Sequence, residues 1–554
     1  MPCPLHAEAY VALPKRPIPG RFDSGIAIMD LRPGSSRSRH ESFTDSVLIS
    51  SRTLDATVAN PPSLKKRVAG NLSWMGLAQV LRSVTGLVVT AILARLLTPA
   101  DFGLVALVMI ASGLISMFSE TGLTSAVVQR EEVSEYHLCT AFWLNLVVAM
   151  LLAAAGVVGA PFISRFFGNP ATAQMLAVLM ISLPLAALGK IPEAILQRRL
   201  DFKAIAGIEW LTTTVSGIAA IVMAFLGFGA WSLVMQAIVV AGVGSAGRLL
   251  VVRWFPRTGV SRSALSDLSS FSFSVFGGNL VNYAFRKVDN FLIGRYLGAE
   301  ALGYYSLAYN LVLFPLQSIG AVVLRVMFPV LSSIQSDRAR LRSVYLRTLR
   351  VLGIFALPVI AGLAAVAPLA VLVAYGPKWS ETAALIQILS VIGMFEAVST
   401  AGILLYAVGR PAILFRWALV SVITMSLSFA FALRWGVTGV AWAYVIISPI
   451  LFMVPHLFAV RAIDLSPRRA LSAVAPALLS SLAMAVIVTQ LRSPLEGLLH
   501  TPLEVLVAQI ASGALAYSIF ILGFAVMTTR RKSDIIPWVL GQQFIRESQP
   551  AGAA

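Results

Sequence analysis

The chain has 554 residues, of which 58% are hydrophobic and only 12% charged, and it carries a formal net charge of +18. Average soluble proteins are about 25% charged, so a soluble globular protein is excluded. The two cysteines, Cys3 and Cys139, lie far apart and define neither a disulfide framework nor a metal site.

Residues 1–64 are rich in Pro, Ser and Arg, with no apolar run long enough for a signal-peptide core. They predict a disordered cytoplasmic tail. Met29 offers a second start ahead of the Lys65, Lys66, Arg67 cluster, which is the expected orienting anchor of the first membrane helix. Beyond it, apolar runs of about 20 residues predict helices near 72–97, 103–120, 138–163, 174–193, 205–226, 231–252, 269–294, 303–325, 351–374, 382–407, 412–432, 439–460, 471–490 and 504–527. The expected fold class is therefore an all-α integral membrane protein of roughly fourteen spans.

Orientation follows from the basic residues. With the N-terminus inside, the inside loops hold Arg130, Arg198, Arg199, Lys203, Arg253, Arg257, Arg262, Arg338, Arg340, Arg342, Arg347, Arg350, Arg410, Arg416, Arg461, Arg468, Arg469, Arg530, Arg531 and Lys532. The outside loops hold Arg165, Arg295, Lys378, Arg434 and Arg492. This bias predicts an even number of spans with both termini cytoplasmic. It also accounts for most of the positive charge, so no nucleic-acid partner is inferred.

An internal repeat is visible. Residues 91–107 reappear without a gap at 291–307, with Arg95 on Arg295, Leu97 on Leu297 and Gly103 on Gly303. Each copy sits between two apolar segments, as in duplicated transporter bundles that work around a central site. The longest expected outside loop, near 491–503, leaves no room for a catalytic domain, and no phosphate-binding lysine motif, catalytic triad or metal-spaced histidine cluster is present. The expectation is a protein that is not an enzyme and needs no cofactor or metal.

Charge inside a membrane helix costs at least about 2.5–3.5 kcal/mol and is rarely kept without a role. In the first helix Gln79, Arg82, Ser83, Gly86 and Thr90 share one face; in the seventh, Asn279, Asn282, Tyr283, Arg286 and Asn290 take the repeat-related positions, beside Lys287 and Asp289. Two such faces are expected to meet across a water-accessible, cationic cavity suited to an anionic solute. A structural reading stands beside this one: Arg286 and Asp289 neutralise each other, Arg82 pairs with Glu120 or Glu209, and Arg95 and Arg295 are interfacial anchors. Glu209 and Glu396 are candidate ion-coupling carboxylates, and Glu193 a weaker one. Helix two offers almost nothing polar between Gly103 and Ser116, which predicts one apolar wall.

A series of short motifs carries a resemblance. Gly122-Leu-Thr-Ser-Ala-Val-Val-Gln-Arg130, Thr140-Ala-Phe-Trp-Leu-Asn145, Ala160-Pro161, Leu196-Gln-Arg-Arg-Leu-Asp-Phe-Lys203 and Gly227-Phe-Gly-Ala-Trp-Ser-Leu233 run through the first half. Val288-Asp-Asn-Phe-Leu-Ile-Gly294, Leu297-Gly298, Gly303-Tyr-Tyr305, Ala308-Tyr309 and Tyr375-Gly-Pro-Lys-Trp379 follow in the second. From about residue 65 to 465 the chain resembles the polysaccharide-exporter family of bacterial flippases, in the multidrug/oligosaccharidyl-lipid/polysaccharide (MOP) superfamily.

The resemblance implies two six-helix bundles forming a V, here 65–260 and 261–465, with two further helices over 466–530 and a cytoplasmic tail over 531–554. It implies residence in the bacterial inner membrane and translocation of a polyprenyl-pyrophosphate-linked oligosaccharide for exopolysaccharide, capsule or O-antigen assembly, alongside a polymerase or other assembly proteins. The expected mechanism is alternating access coupled to a proton or sodium flow. Arg82 and Arg286 would receive the anionic head group, and Gln79, Asn279, Asn282 and Tyr283 would bind sugar hydroxyls. Two alternatives stay open: a multidrug or metabolite exporter of the same superfamily, for which Glu209 is the deep carboxylate, and a non-transporting assembly scaffold.

Overall fold

A computed structural model describes residues 64–119, 124, 127–128, 133–257 and 283–528. The first helices are α1 (Leu64–Leu96), α2 (Pro99–Met117), α3 (Glu135–Phe167), α4 (Ala171–Leu179), α5 (Ser182–Arg198), α6 (Phe202–Phe225) and α7 (Trp231–Val252). There follow α8 (283–296), α9 (Gly298–Ser333), α10 (Arg338–Tyr375), α11 (Ser380–Ala397), α12 (Ala401–Ala407), α13 (Pro411–Ala432), α14 (Gly436–Ala462), α15 (Pro467–Leu498) and α16 (Pro502–Thr528). The described residues form helices and connecting turns, without strands. The described residues from Arg67 onward belong to one unit.

Local chemistry sets the helix ends. Thr98 and Asp101 form a reciprocal capping box at the start of α2, with Pro99 in its first turn. The helix therefore begins four residues ahead of the apolar run that predicted it at 103. Ser134, Asp201 and Asp337 cap α3, α6 and α10 through their side chains. Gly168 closes α3 in a left-handed conformation that a Cβ would disfavour.

Several predicted spans change shape. The run at 174–193 is two helices, α4 and α5, parted at Met180 and Ile181, and the run at 382–407 is α11 and α12, parted at Val398–Thr400. The predicted inside loop before 351 is the charged first part of α10, because Asp337 caps it and arginines are good helix formers. The external loop predicted at 491–503 shrinks, since α15 runs to Leu498 and α16 starts at Pro502.

Among the described residues, eleven stretches are long and apolar enough to cross a membrane, against roughly fourteen predicted from apolar runs. One of the eleven, Pro411–Ala462, contains both α13 and α14. The predicted seventh helix, 269–294, lies partly outside the described residues, as do the tails.

In the first half, α7 packs on α5 and α6, while α3 packs on α4 and α5. In the second, α11 lies against α9, α10 and α14, and α15 joins through α10. The halves meet mainly where α2 crosses α9. The largest apolar core reaches across this crossing, from Ala94, Leu107 and Ile110 to Ile293, Leu302 and Tyr305.

Candidate functional site

The two copies of the repeated sequence touch each other. A Cβ on Gly103 of α2 would overlap the Ala299 carbonyl, and one on Gly303 of α9 would overlap the Pro99 carbonyl. Repeat-related glycines thus let two helix backbones approach closely at a pseudo-twofold crossing. Leu107 packs into the space left by Gly294 on α8.

A cavity of about 250 Å3 lies beside this crossing, between the halves. Helix α2 supplies an apolar wall of Phe102, Val105, Ala106, Met109 and Ile110, as the sequence predicted. The polar lining comes from Gln236 on α7, Lys287 and Asn290 on α8, and Ser306, Tyr309 and Asn310 on α9. Among the described residues of the lining there are one ammonium, several neutral amide and hydroxyl groups and no carboxylate. Such a surface attracts an anion and offers both donors and acceptors to sugar hydroxyls.

Asp289 organises this wall from behind. It is only 3% exposed. Its Oδ1 accepts from the Asn290 backbone N–H at 2.7 Å and from Asn290 Nδ2 at 2.9 Å, and its Oδ2 accepts from the Tyr305 hydroxyl at 2.8 Å. Tyr305 stacks on Tyr309, which stacks on Tyr444. A buried carboxylate is thereby satisfied by hydrogen bonds, and Asn290 and Tyr309 are held against the cavity. The expected Arg286–Asp289 neutral pair is not what satisfies it.

The other predicted site residues take different places. Arg82 donates to Glu209 on α6 at 2.8 Å, so the arginine read as a free cavity cation is already paired, and Glu209 is its partner. Of the two readings the sequence left open for Arg82, this is the structural one, with Glu209 rather than Glu120 as the partner. Spacing along α1 could not choose between Glu120 and Glu209, which lie on other parts of the chain. Gln79 and Ser83 share that helix, and among the described residues none of α1 lines the cavity.

The hydroxyl of Tyr283 donates to the Ile110 carbonyl of α2 at 2.6 Å and lies against Gly113, joining the halves where sugar binding was expected. Arg286 is exposed and outside the cavity lining, with no contact ion pair among the described residues. Glu396 on α11 is half-buried and within electrostatic reach of Arg286. Glu193 pairs with Arg248 of α7 at 3.4 Å. Asn279 and Asn282 lie outside the described residues.

Gln236, Ser306 and Asn310 were missed because sequence reasoning weighted helices one and seven. The signal that could have found Ser306, Tyr309 and Asn310 is the helix that carries Gly303, on which Ser306 lies near the end of the repeated stretch and Tyr309 and Asn310 follow it.

Arg95 is more than an interfacial anchor. Its Nε donates to the Ala374 carbonyl at 3.0 Å and its Nη2 to the Val373 carbonyl, both in the last turn of α10. In return, Lys378 Nζ donates to the carbonyls of Arg95, at 2.8 Å, and Leu97, while Trp379 Nε1 donates to the Ala94 carbonyl at 2.8 Å.

Repeat-paired helices around a polar cavity define a multi-pass membrane protein of the transporter type. The solved structure of the lipid II flippase MurJ, inward closed conformation, matches with a TM-score of 0.66 at 18% identity, covering 81% of this chain and 98% of that one. An inward-facing multidrug resistance MATE family transporter matches with a TM-score of 0.55 at 16% identity, covering 70% and 94%. These likenesses establish the MOP-type fold. The family model described as polysaccharide biosynthesis protein matches residues 92–384, and the chain belongs to that family.

Among its relatives, the succinoglycan biosynthesis transport protein ExoT of Rhizobium meliloti (strain 1021) is 30% identical over 88% of this chain and 98% of its own length. The teichuronic acid biosynthesis protein TuaB of Bacillus subtilis (strain 168) is 26% identical over 85% and 98%.

Proposed function

We propose that the protein is a flippase, carrying polyprenyl-pyrophosphate-linked oligosaccharide repeat units across the bacterial inner membrane for exopolysaccharide, capsule or O-antigen assembly. The observation that carries this reading is the cavity between repeat-related helices, with one ammonium, several amides and hydroxyls and an apolar wall. Lys287 meets the anionic group of the cargo, whether phosphate or an acidic sugar, as a point charge. Gln236, Asn290, Ser306 and Asn310 bind sugar hydroxyls, and the apolar wall takes the hydrophobic faces of the rings.

At about 250 Å3 the cavity is smaller than the roughly 300–1,000 Å3 of drug-sized sites. An oligosaccharide therefore enters only when the halves, residues 65–260 and 261–465, rock apart. The lipid tail stays in the bilayer throughout. Arg286 and Glu396, close in charge but not paired in contact, are the candidate groups for coupling to a proton or sodium flow, and a polysaccharide polymerase acts on the product.

The test is deletion of the gene followed by analysis of surface polymer and lipid-linked precursor. Loss of one surface polysaccharide, with precursor retained, is the expected result. Normal polymer with heightened drug sensitivity supports a multidrug exporter instead.

A further inference from the structure

Four carbonyls at the ends of α-helices have no partner within the helix, and a cation is the natural group to satisfy them. Here each half supplies the cation for the other. Arg95, in the last turn of α1, caps Val373 and Ala374 at the end of α10. Lys378 and Trp379, just beyond α10, cap Ala94, Arg95 and Leu97 at the end of α1. The exchange is reciprocal, and Trp379 at its centre is fully buried.

The repeat places a second contact across the pseudo-twofold axis. Arg295 ends α8 as Arg95 ends α1, and its guanidinium lies 5.3 Å from the ring of Phe166, at the end of α3. Phe166 stacks on Phe291 of α8 with ring centroids 5.4 Å apart. One side of the crossing is thus tied by hydrogen bonds and the other by aromatic faces.

This end of the bundle connects directly to the cavity. Phe102 lines it and packs edge-on against Trp379 with ring centroids 5.1 Å apart, and Tyr304 also packs edge-on with Trp379, at 6.0 Å. Opening the cavity here would require the Trp379 indole and the Lys378 ammonium to leave α1 and Arg95 to leave α10. The bonds are suited to reversal, because a helix-end carbonyl released at the membrane interface can bond water in their place.

We propose that the reciprocal caps formed by Arg95, Lys378 and Trp379 are the gate that closes this end of the cavity, and that these residues set how often it opens. The inference rests on the transport reading above and adds to it the residues that control access from one face. They are positioning residues, acting through the helix ends.

The test uses the full chain in cells and in inverted vesicles, with Cys3→Ser and Cys139→Ser and one cysteine introduced in the cavity by Ser306→Cys. A membrane-impermeant maleimide is added to each face in turn. Arg95→Ala and Lys378→Ala are expected to raise the labelling rate several-fold from a single face, the one this end fronts, with Arg95→Lys between them and the parent. Unchanged rates in both alanine variants at normal abundance overturn the gate, whatever the cargo is.

Should the alanine variants fail to accumulate, Leu96→Cys with Pro377→Cys, bridged by a short reducible bis-thiosulfonate, replaces them. Polymer export is expected to stop on bridging and resume on reduction. Continued export under complete bridging overturns the gate. If labelling accelerates yet a deletion strain makes normal polymer, the gate stands and the cargo reading falls.

Discussion

Lys287 and Arg82 show how differently two intramembrane cations can be used. Lys287 lines the cavity, whereas Arg82 is paired with Glu209 across two helices of one half. A hydrogen bond to a charged group contributes about 1.5–3 kcal/mol, so Lys287→Gln should slow export roughly tenfold or more at normal abundance. Lys287→Arg should retain much of it, as expected of a point-charge site, and surface polymer normalised to membrane abundance checks both. For Arg82→Ala the account expects lower abundance, because Glu209 is left as an unpaired charge, and recovery of both abundance and export in the Arg82→Ala, Glu209→Ala double variant. Recovery of abundance without export would return Arg82 to the anion site. Asp289→Ala should be the most damaging of these, since it strands the Tyr305 hydroxyl and the Asn290 donors in a buried place at about 1–3 kcal/mol each.

At the scale of elements, Gly103 and Gly303 decide how closely α2 and α9 can cross. Gly103→Ala and Gly303→Ala should each separate the two backbones, costing about 1–3 kcal/mol and lowering the melting temperature of the purified protein. Gly159→Ala on α3, where an added Cβ meets nothing within 4 Å, is the control and should be tolerated. The sequence showed the repeat that carries both glycines but not that its two copies would cross, and apolar length alone located most of the helices. Helix ends were less legible, because the Thr98–Asp101 box and the Asp337 cap extend helices beyond the apolar runs that announced them. The site was only half legible. Periodicity put Asn290 on the polar face of α8 and Lys287 beside it, but could not show that Tyr283 would bond to α2, that Arg286 would lie outside the lining, or that α7 and α9 would supply most of the cavity's amides and hydroxyls. Partners on other helices are set by packing, to which spacing along one helix is blind.

For the whole molecule, the repeat, the shared fold and the family support the proposed use, in which a polar space between two halves opens by their relative motion. The basic residues predict which face is which. Tags at 98–102, 227–230 and 491–503 should report outside, and tags at 253–262, 336–342 and the C-terminus inside. A cytoplasmic report from 491–503 would contradict that arrangement. The central claim, that the chain moves lipid-linked sugar across the membrane, is tested most directly by asking which leaflet holds the precursor. In spheroplasts of a deletion strain, lipid-linked repeats should accumulate shielded from externally added periodate, and re-expression should make them susceptible to it. Equal susceptibility with and without the protein would contradict the account.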